Sequence, residues 1–244
     1  MKPCPKCQYI RQAKDASVHP DICPACGIAM NKWRPRPIVN DDSDAVIVPE
    51  QRTSLREHFM QLPNRVDSGS LWGRGVIWLG LSCWAFWFLF NGIDWQVIGG
   101  SFMHNINLPF HEFGHVLFMP FGRFMAILGG SLFQILLPLG LCIGFSFFHN
   151  DNFAASVTLW WCGQSFVDLA PYIADAEYRL LPLVGGGGEE SHDWGNLLTW
   201  MNMVDSAHTI ARASFVIGGV IMMLALAWGF QLLRKQKALE AQGY

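Results

Sequence analysis

The chain has 244 residues, of which 51% are hydrophobic and 15% charged, with 11 Trp, 18 Phe and a formal net charge of −2. Aromatics this abundant and charges this sparse exceed the usual content of a soluble domain and point to lipid. No basic face suggests nucleic acid, and no nucleic-acid partner is expected.

The first residues, Met-Lys-Pro-Cys-Pro-Lys-Cys, lack the apolar core of a secretory signal, so the N-terminus is expected in the cytoplasm. Four of the 7 cysteines, Cys4, Cys7, Cys23 and Cys26, form two Cys-x-x-Cys pairs separated by fifteen residues. In a reducing compartment such pairs bind metal more often than they form disulfides. Residues 1–34 are too few to fold on a hydrophobic core alone and need a metal as a staple; four tetrahedral thiolates suit zinc. Gly27 is expected to take the positive φ that lets backbone N–H groups approach the sulfurs. Through Cys4, Cys7, Tyr9, Arg11, Asp15, Cys23, Pro24, Cys26 and Gly27 the segment resembles the small zinc-ribbon modules found at the N-termini of many bacterial proteins. Rubredoxin knuckles share Cys-Pro-x-Cys-Gly and would imply iron, but the gap here is much shorter than rubredoxins use.

Residues 35–70 read as a polar linker, in which Ser54-Leu-Arg-Glu57 fits a capping box opening a short surface helix. Five apolar runs follow, at 71–90, 93–119, 125–148, 153–174 and 207–233. Each is of a length to span about 30 Å of hydrocarbon, which predicts a mainly α, polytopic bundle of four to five transmembrane helices. Between Gly75 and Gln231 only three cations remain, Arg123, Arg179 and Arg212, so the stretch can be buried in lipid at little electrostatic cost. The cations upstream of Trp72 place the N-terminus inside by the positive-inside rule. Against that rule, a fifth span would carry Arg234, Lys235 and Lys237 outside, unless one segment is re-entrant. Residues 234–244 read as a C-terminal tail, and Cys83, Cys142 and Cys162 as small core residues. Gly99-Gly100, Gly129-Gly130 and Gly218-Gly219 are expected where helices approach closely. His104, His149 and His208 carry no functional expectation.

The second run contains His111-Glu112-Phe113-Gly114-His115. On a helix, residues four apart share a face, so His111 and His115 can bind one zinc while Glu112 serves as general base for an attacking water. Two histidines and a glutamate are costly in an apolar span without partners, which favours a metal. A catalytic zinc has three protein ligands and an open fourth position. The candidates for the third are Asp168, favoured by depth in the membrane, and Asp175, which shares its helical face. A further candidate is Asp193, which with His192 follows the glycines at 185–188. For that segment a solvated loop leading into an amphipathic helix at 197–203 is the simpler reading.

At these residues the chain resembles the site-two protease family of intramembrane metalloproteases. His111, Glu112 and His115 match its zinc motif. The stretch Gly129-Gly-Ser-Leu-Phe-Gln134 is similar to its Gly-Pro-x-x-Asn segment, and Asp168-Leu-Ala-Pro171-Tyr-Ile-Ala-Asp175 to its Asn-x-x-Pro segment ending in Leu-Asp-Gly. Ser131 replaces the usual Pro, Asp168 the Asn, and Asp175 comes one residue early. The resemblance covers roughly residues 95–180 and implies motif-position ligation by Asp175.

The expectation is therefore a membrane metalloprotease-like domain at 71–233, hydrolysing membrane-embedded protein substrates in a bacterial inner membrane. One catalytic and one structural Zn2+ are expected, with a cytoplasmic partner for the ribbon. Two alternatives stand beside it: a non-enzymatic, membrane-anchored zinc-ribbon binding protein with a structural intramembrane metal site, and an iron-bearing redox module.

Overall fold

The computed structural model describes residues 3–30, 54–62, 68–182 and 191–242. The chain divides into two compact units, Met1–Gln51 and Arg52–Tyr244. Residues 35–53 and 63–67 of the expected linker and the glycines at 185–188 lie outside the described residues.

The first unit is built from two equivalent turns. Cys4 N–H donates to Tyr9 O and Gln8 N–H to Cys4 O; in the second turn Cys23 N–H donates to Ile28 O and Gly27 N–H to Cys23 O. Gln8 (φ 61°) and Gly27 (φ 71°) occupy the same left-handed position, as expected for Gly27. An isolated antiparallel bridge joins Ile22 to Ala29. The intervening chain is tied down by side chains. Asp15 accepts from Tyr9 Oη and from Gln12 N–H, both at 2.9 Å, while the Arg11 guanidinium donates to the carbonyls of Val18, His19 and Pro20.

The second unit is helical. α1 (Leu55–Phe59) begins with the expected capping box: Ser54 Oγ accepts from Glu57 N–H at 3.2 Å, and Glu57 Oε2 from Ser54 N–H at 2.7 Å. α2 spans Ser68–Asn91, α3 Trp95–Gly99, α4 Phe102–Phe118, α5 Arg123–Ile143, α6 Asn152–Ala174, α7 Asp193–Trp200 and α8 Ala207–Ala241. The apolar run 93–119 is thus two helices, because each half has its own cap. Asp94 Oδ1 accepts from Gln96 N–H at 2.7 Å, and Ser101 Oγ from His104 N–H at 3.1 Å. α8 runs on through Ala241, so residues 234–241 continue the last helix instead of forming a separate tail. Its Lys235 Nζ donates to Met60 O at 2.7 Å, and Trp228 Nε1 to Phe59 O at 2.8 Å, which anchors the α1 turn to α8.

Among the described residues, three helices are long and apolar enough to cross a membrane: α2, α5 with its π-helical continuation to Phe148, and α8. Four to five were expected. α4, with 17 residues, is short of the roughly 20 needed for a perpendicular crossing, and α6 is diluted by Gln164, Ser165 and Asp168. Trp72, Val76, Leu79, Trp87 and Phe90 of α2 project outward from the protein, the pattern of a helix whose solvent is hydrocarbon. Cys83 is also exposed on α2, so only Cys142 and Cys162 are the buried small residues expected.

α6 is the central helix, with 16 of its 23 residues buried. It packs mainly on α8 and also on α5, while α4 packs on α5 and α2 on α8. The main apolar core gathers Phe88, Ile98, Trp160, Val167, Met222 and Leu226. Small residues make the α6–α8 crossing possible: a Cβ on Gly163 would stand 2.7 Å from Gly218 O, and one on Gly218 would overlap Gly163 O.

Candidate metal centres

In the first unit the sulfurs of Cys4 and Cys26 lie 3.7 Å apart and those of Cys7 and Cys23 3.6 Å apart, none of them disulfide-bonded. All four lie within 4.8 Å of one another and could hold a metal ion. Their acidities show why a cation suits the cluster. Burial opposes the Cys4 thiolate, but backbone N–H groups of Cys7 and Lys6 and the neighbouring thiols outweigh it and bring Cys4 down to about 6. The Tyr9 N–H favours the Cys7 thiolate, yet burial and three adjacent sulfurs push Cys7 up to about 12. The Cys4 thiolate forms readily while that of Cys7 is opposed by the sulfurs around it, a conflict that a divalent ion would remove.

The second centre is assembled on α4. His111 and His115, one turn apart, bring their ring centroids to 4.9 Å with the planes 76° apart. The third member is Asp193, the first residue of α7: its Oδ2 lies 3.1 Å from His111 Nε2 and 3.3 Å from His115 Nε2. These three ligand atoms lie within 4.8 Å of one another and could hold one metal ion. Asp193 is carried there by a braced segment. Tyr172 Oη accepts from Asp193 N–H at 2.9 Å and lies 3.2 Å from Oδ2. His192 caps α7, its Nδ1 accepting from Gly195 N–H at 3.0 Å.

Each histidine is fixed from behind. His111 Nδ1 faces Gln134 Oε1 at 3.0 Å, and His115 Nδ1 donates to Ala126 O at 2.8 Å, so in both rings Nε2 is the nitrogen left for a metal. The close α4–α5 crossing that allows this depends on glycine. A Cβ on Gly114 would overlap Gly129 O, and a Cβ on Gly130 would stand 2.6 Å from His115 Nε2 and 2.7 Å from His111 Nε2.

The other aspartates expected as ligands are engaged elsewhere. Asp168, 4% exposed, stands behind the site, where it accepts from Gln134 Nε2, Asn107 Nδ2 and His104 Nδ1. Asp175 caps the end of α6 and takes the N–H groups of Leu180 and Leu181, with His192 Nε2 3.2 Å from its Oδ2. Facing in the same direction on a helix did not bring either carboxylate to the histidines. α6 is enclosed on nearly all sides, so several of its faces have polar partners.

A cavity of about 650 Å³ opens beside the histidines and is lined by Glu112, His104, Asp168, Tyr172 and Arg123. Glu112, the expected general base, therefore borders the same space as the three ligand atoms. His104 proves to belong to the site's supporting network, as does Asn107, while Gln134 and Tyr172 lie within the two motif-like stretches, where no role had been assigned to them. No protein-family model, curated protein or solved structure matches this chain.

Proposed function

We propose that this chain is an intramembrane zinc metallopeptidase, with zinc held by His111, His115 and Asp193 and with Glu112 as general base. The observation that carries the reading is the convergence of the two histidines and a distant carboxylate on one point bordering the cavity that Glu112 lines. Zinc fits the spacing: bonds of 2.0–2.1 Å at tetrahedral angles separate donor atoms by about 3.3 Å, against the 3.1 and 3.3 Å found. The ribbon sulfurs, at 3.6 and 3.7 Å, fit zinc bonded at 2.3 Å, for which about 3.8 Å is expected. In this reading α4 and α6 also lie within the bilayer, shielded by α2, α5 and α8.

Bound zinc would supply Lewis acidity, polarising a carbonyl and acidifying a water. The chain's own residues do the rest. Glu112 takes the proton from the attacking water and returns it to the leaving amine. Gln134 and the Ala126 carbonyl keep the imidazoles in register, and Tyr172 holds the Asp193 backbone and carboxylate together. The substrate is a transmembrane segment that opens locally at the polar cavity, since the carbonyls of an intact helix are already hydrogen-bonded.

The test uses full-length protein in proteoliposomes with β-casein and a panel of single-span reporter helices. Glu112→Gln is expected to retain both zinc ions and to cut roughly 10²–10⁴ times more slowly. Undiminished cleavage by that variant would exclude Glu112 as the base. Absence of any cleavage by wild type, with cellular function preserved in Glu112→Gln, would favour a membrane-anchored ribbon protein with a structural metal.

A further inference from the structure

Behind His111 lies a chain of buried polar groups whose directions are all determined by its end members. Asp168 Oδ2 is 2.8 Å from Gln134 Nε2 and 3.1 Å from Asn107 Nδ2, and its Oδ1 is 3.1 Å from His104 Nδ1. A carboxylate only accepts, so Gln134 must turn its NH2 toward Asp168 and its carbonyl toward His111. That carbonyl, 3.0 Å from His111 Nδ1, also only accepts. The His111 proton therefore sits on Nδ1, and bare Nε2 faces Asp193 Oδ2.

Asn107 is oriented independently. The Trp161 indole, a donor only, gives its N–H to Asn107 Oδ1 at 2.7 Å, which leaves Nδ2 for Asp168 and for Gln164 Oε1 at 2.8 Å. Gln134 and Asn107 are buried to 3% and 1% exposure, where an amide group that loses its partner is costly.

We propose that Asp168 is a positioning residue: through the Gln134 amide it selects the tautomer and ring orientation of His111, and so tunes metal affinity without touching the metal. This rests on His111, His115 and Asp193 forming a metal site and is independent of proteolysis. Partners of this kind behind a ligating histidine are worth 10–100-fold in metal affinity.

The experiment is a zinc competition titration with a chelator on full-length protein in detergent, with His111→Ala marking the membrane-unit site. Asp168→Ala is expected to weaken that site 10–100-fold while the ribbon zinc stays. Gln134→Ala should do the same, and adding Asp168→Ala to it should cost no more than about twofold further, since the two act in series. Asp168→Asn should bind like wild type, because its amide oxygen can accept from Gln134 while His104 changes tautomer to accept its NH2. Wild-type affinity in Asp168→Ala, or effects that add in full, would overturn the proposal. Should Asp168→Ala fail to fold, Gln134→Met carries the test: it fills the same space with Asp168 intact, and undiminished affinity there overturns the link. A wild-type protein that holds only the ribbon zinc would instead overturn the metal site itself, and this proposal with it.

Discussion

Asp193 Oδ2 lies 3.1 Å from His111 Nε2 although 82 residues separate the two in the chain. The contact is made by a helix start, because His192 caps α7 and sets Asp193 as its first residue. Tyr172 on α6 then grips both the N–H and the carboxylate of Asp193, so this carboxylate reaches α4 by way of α6.

Under the proposed reading, replacing Asp193 by Ala removes the metal at His111 and His115 and leaves that at the four N-terminal cysteines. Two zinc ions per chain in wild type should fall to one, and Cys4→Ala with Cys7→Ala should lose the other. Asp175→Ala tests the supporting segment. It frees His192 and the end of α6 but leaves all three ligands, so zinc should be retained with weaker affinity. Elemental analysis of protein purified without chelator separates these outcomes, and full zinc content in the Asp193 variant would return Asp168 to consideration.

Gly130→Ala should abolish the membrane metal although it adds a single methyl group. The new Cβ would meet His115 Nε2 at 2.6 Å and His111 Nε2 at 2.7 Å, inside the space that an ion held by these two nitrogens would need. Gly140→Ala is the control, since a Cβ there meets nothing within 4 Å and alanine is the better helix former by up to about 1 kcal/mol. The pair should therefore differ in zinc content with similar helicity by circular dichroism; equal zinc content would mean that α4 and α5 stand further apart than described.

What could be read from the sequence was local. His111, Glu112 and His115 are one helical turn apart, and the four cysteines lie in two short knuckles, so spacing alone brought each set together. Gly129-Gly130 and Gly218 were legible as close approaches because a missing side chain leaves room for atoms of a neighbouring helix. Asp193 was legible only as an alternative, because a loop return has no periodicity to reveal it. The match of Asp168 and Asp175 at one helical face misled because α6 is buried nearly all round, so a shared face did not identify a shared partner. His104, Asn107, His111 and His115, spaced at three and four, formed a polar stripe on α4 whose lower half was the support of its upper half. Gln134 carried a signal too: an amide in an apolar run requires a partner as a charge does. The break at residues 100–101 was hidden because both halves of the run are apolar, and only the caps Asp94 and Ser101 mark it.

Trp161→Phe probes the supporting network without touching the site. It removes the indole N–H given to Asn107 Oδ1 and keeps the aromatic bulk beside Phe110. A buried carbonyl left without a donor costs about 1–3 kcal/mol, so thermal stability in detergent should fall. Zinc affinity should change little, since Asp168 still orients Gln134. A loss of affinity as large as that of Asp168→Ala would show that Asn107, and not Asp168 alone, governs the amide.

The N-terminal cysteine unit should show an acid sensitivity that belongs to Asp15. The Gln12 backbone N–H, with the Tyr9 hydroxyl and the nearby Lys14 and Arg11 charges, holds its carboxyl below the usual carboxylate range despite the opposing effect of burial. A folded pKa lower than the unfolded one means that the unfolded chain binds the proton more readily, so stability rises with pH across that interval. The contribution is complete above the ordinary carboxylate value near 3.9 and is lost as pH falls through the lower folded value. Asp15→Asn keeps the shape and removes the charge, so the N-terminal unit of the variant should be the weaker at neutral pH. The gap between the two proteins should then narrow on acidification below about pH 4. Comparing denaturant midpoints of wild type and variant at each pH cancels protonation of the cysteines, which both share. A gap that stayed constant down to pH 3 would mean that Asp15 acts through shape and hydrogen bonding with no contribution from its charge.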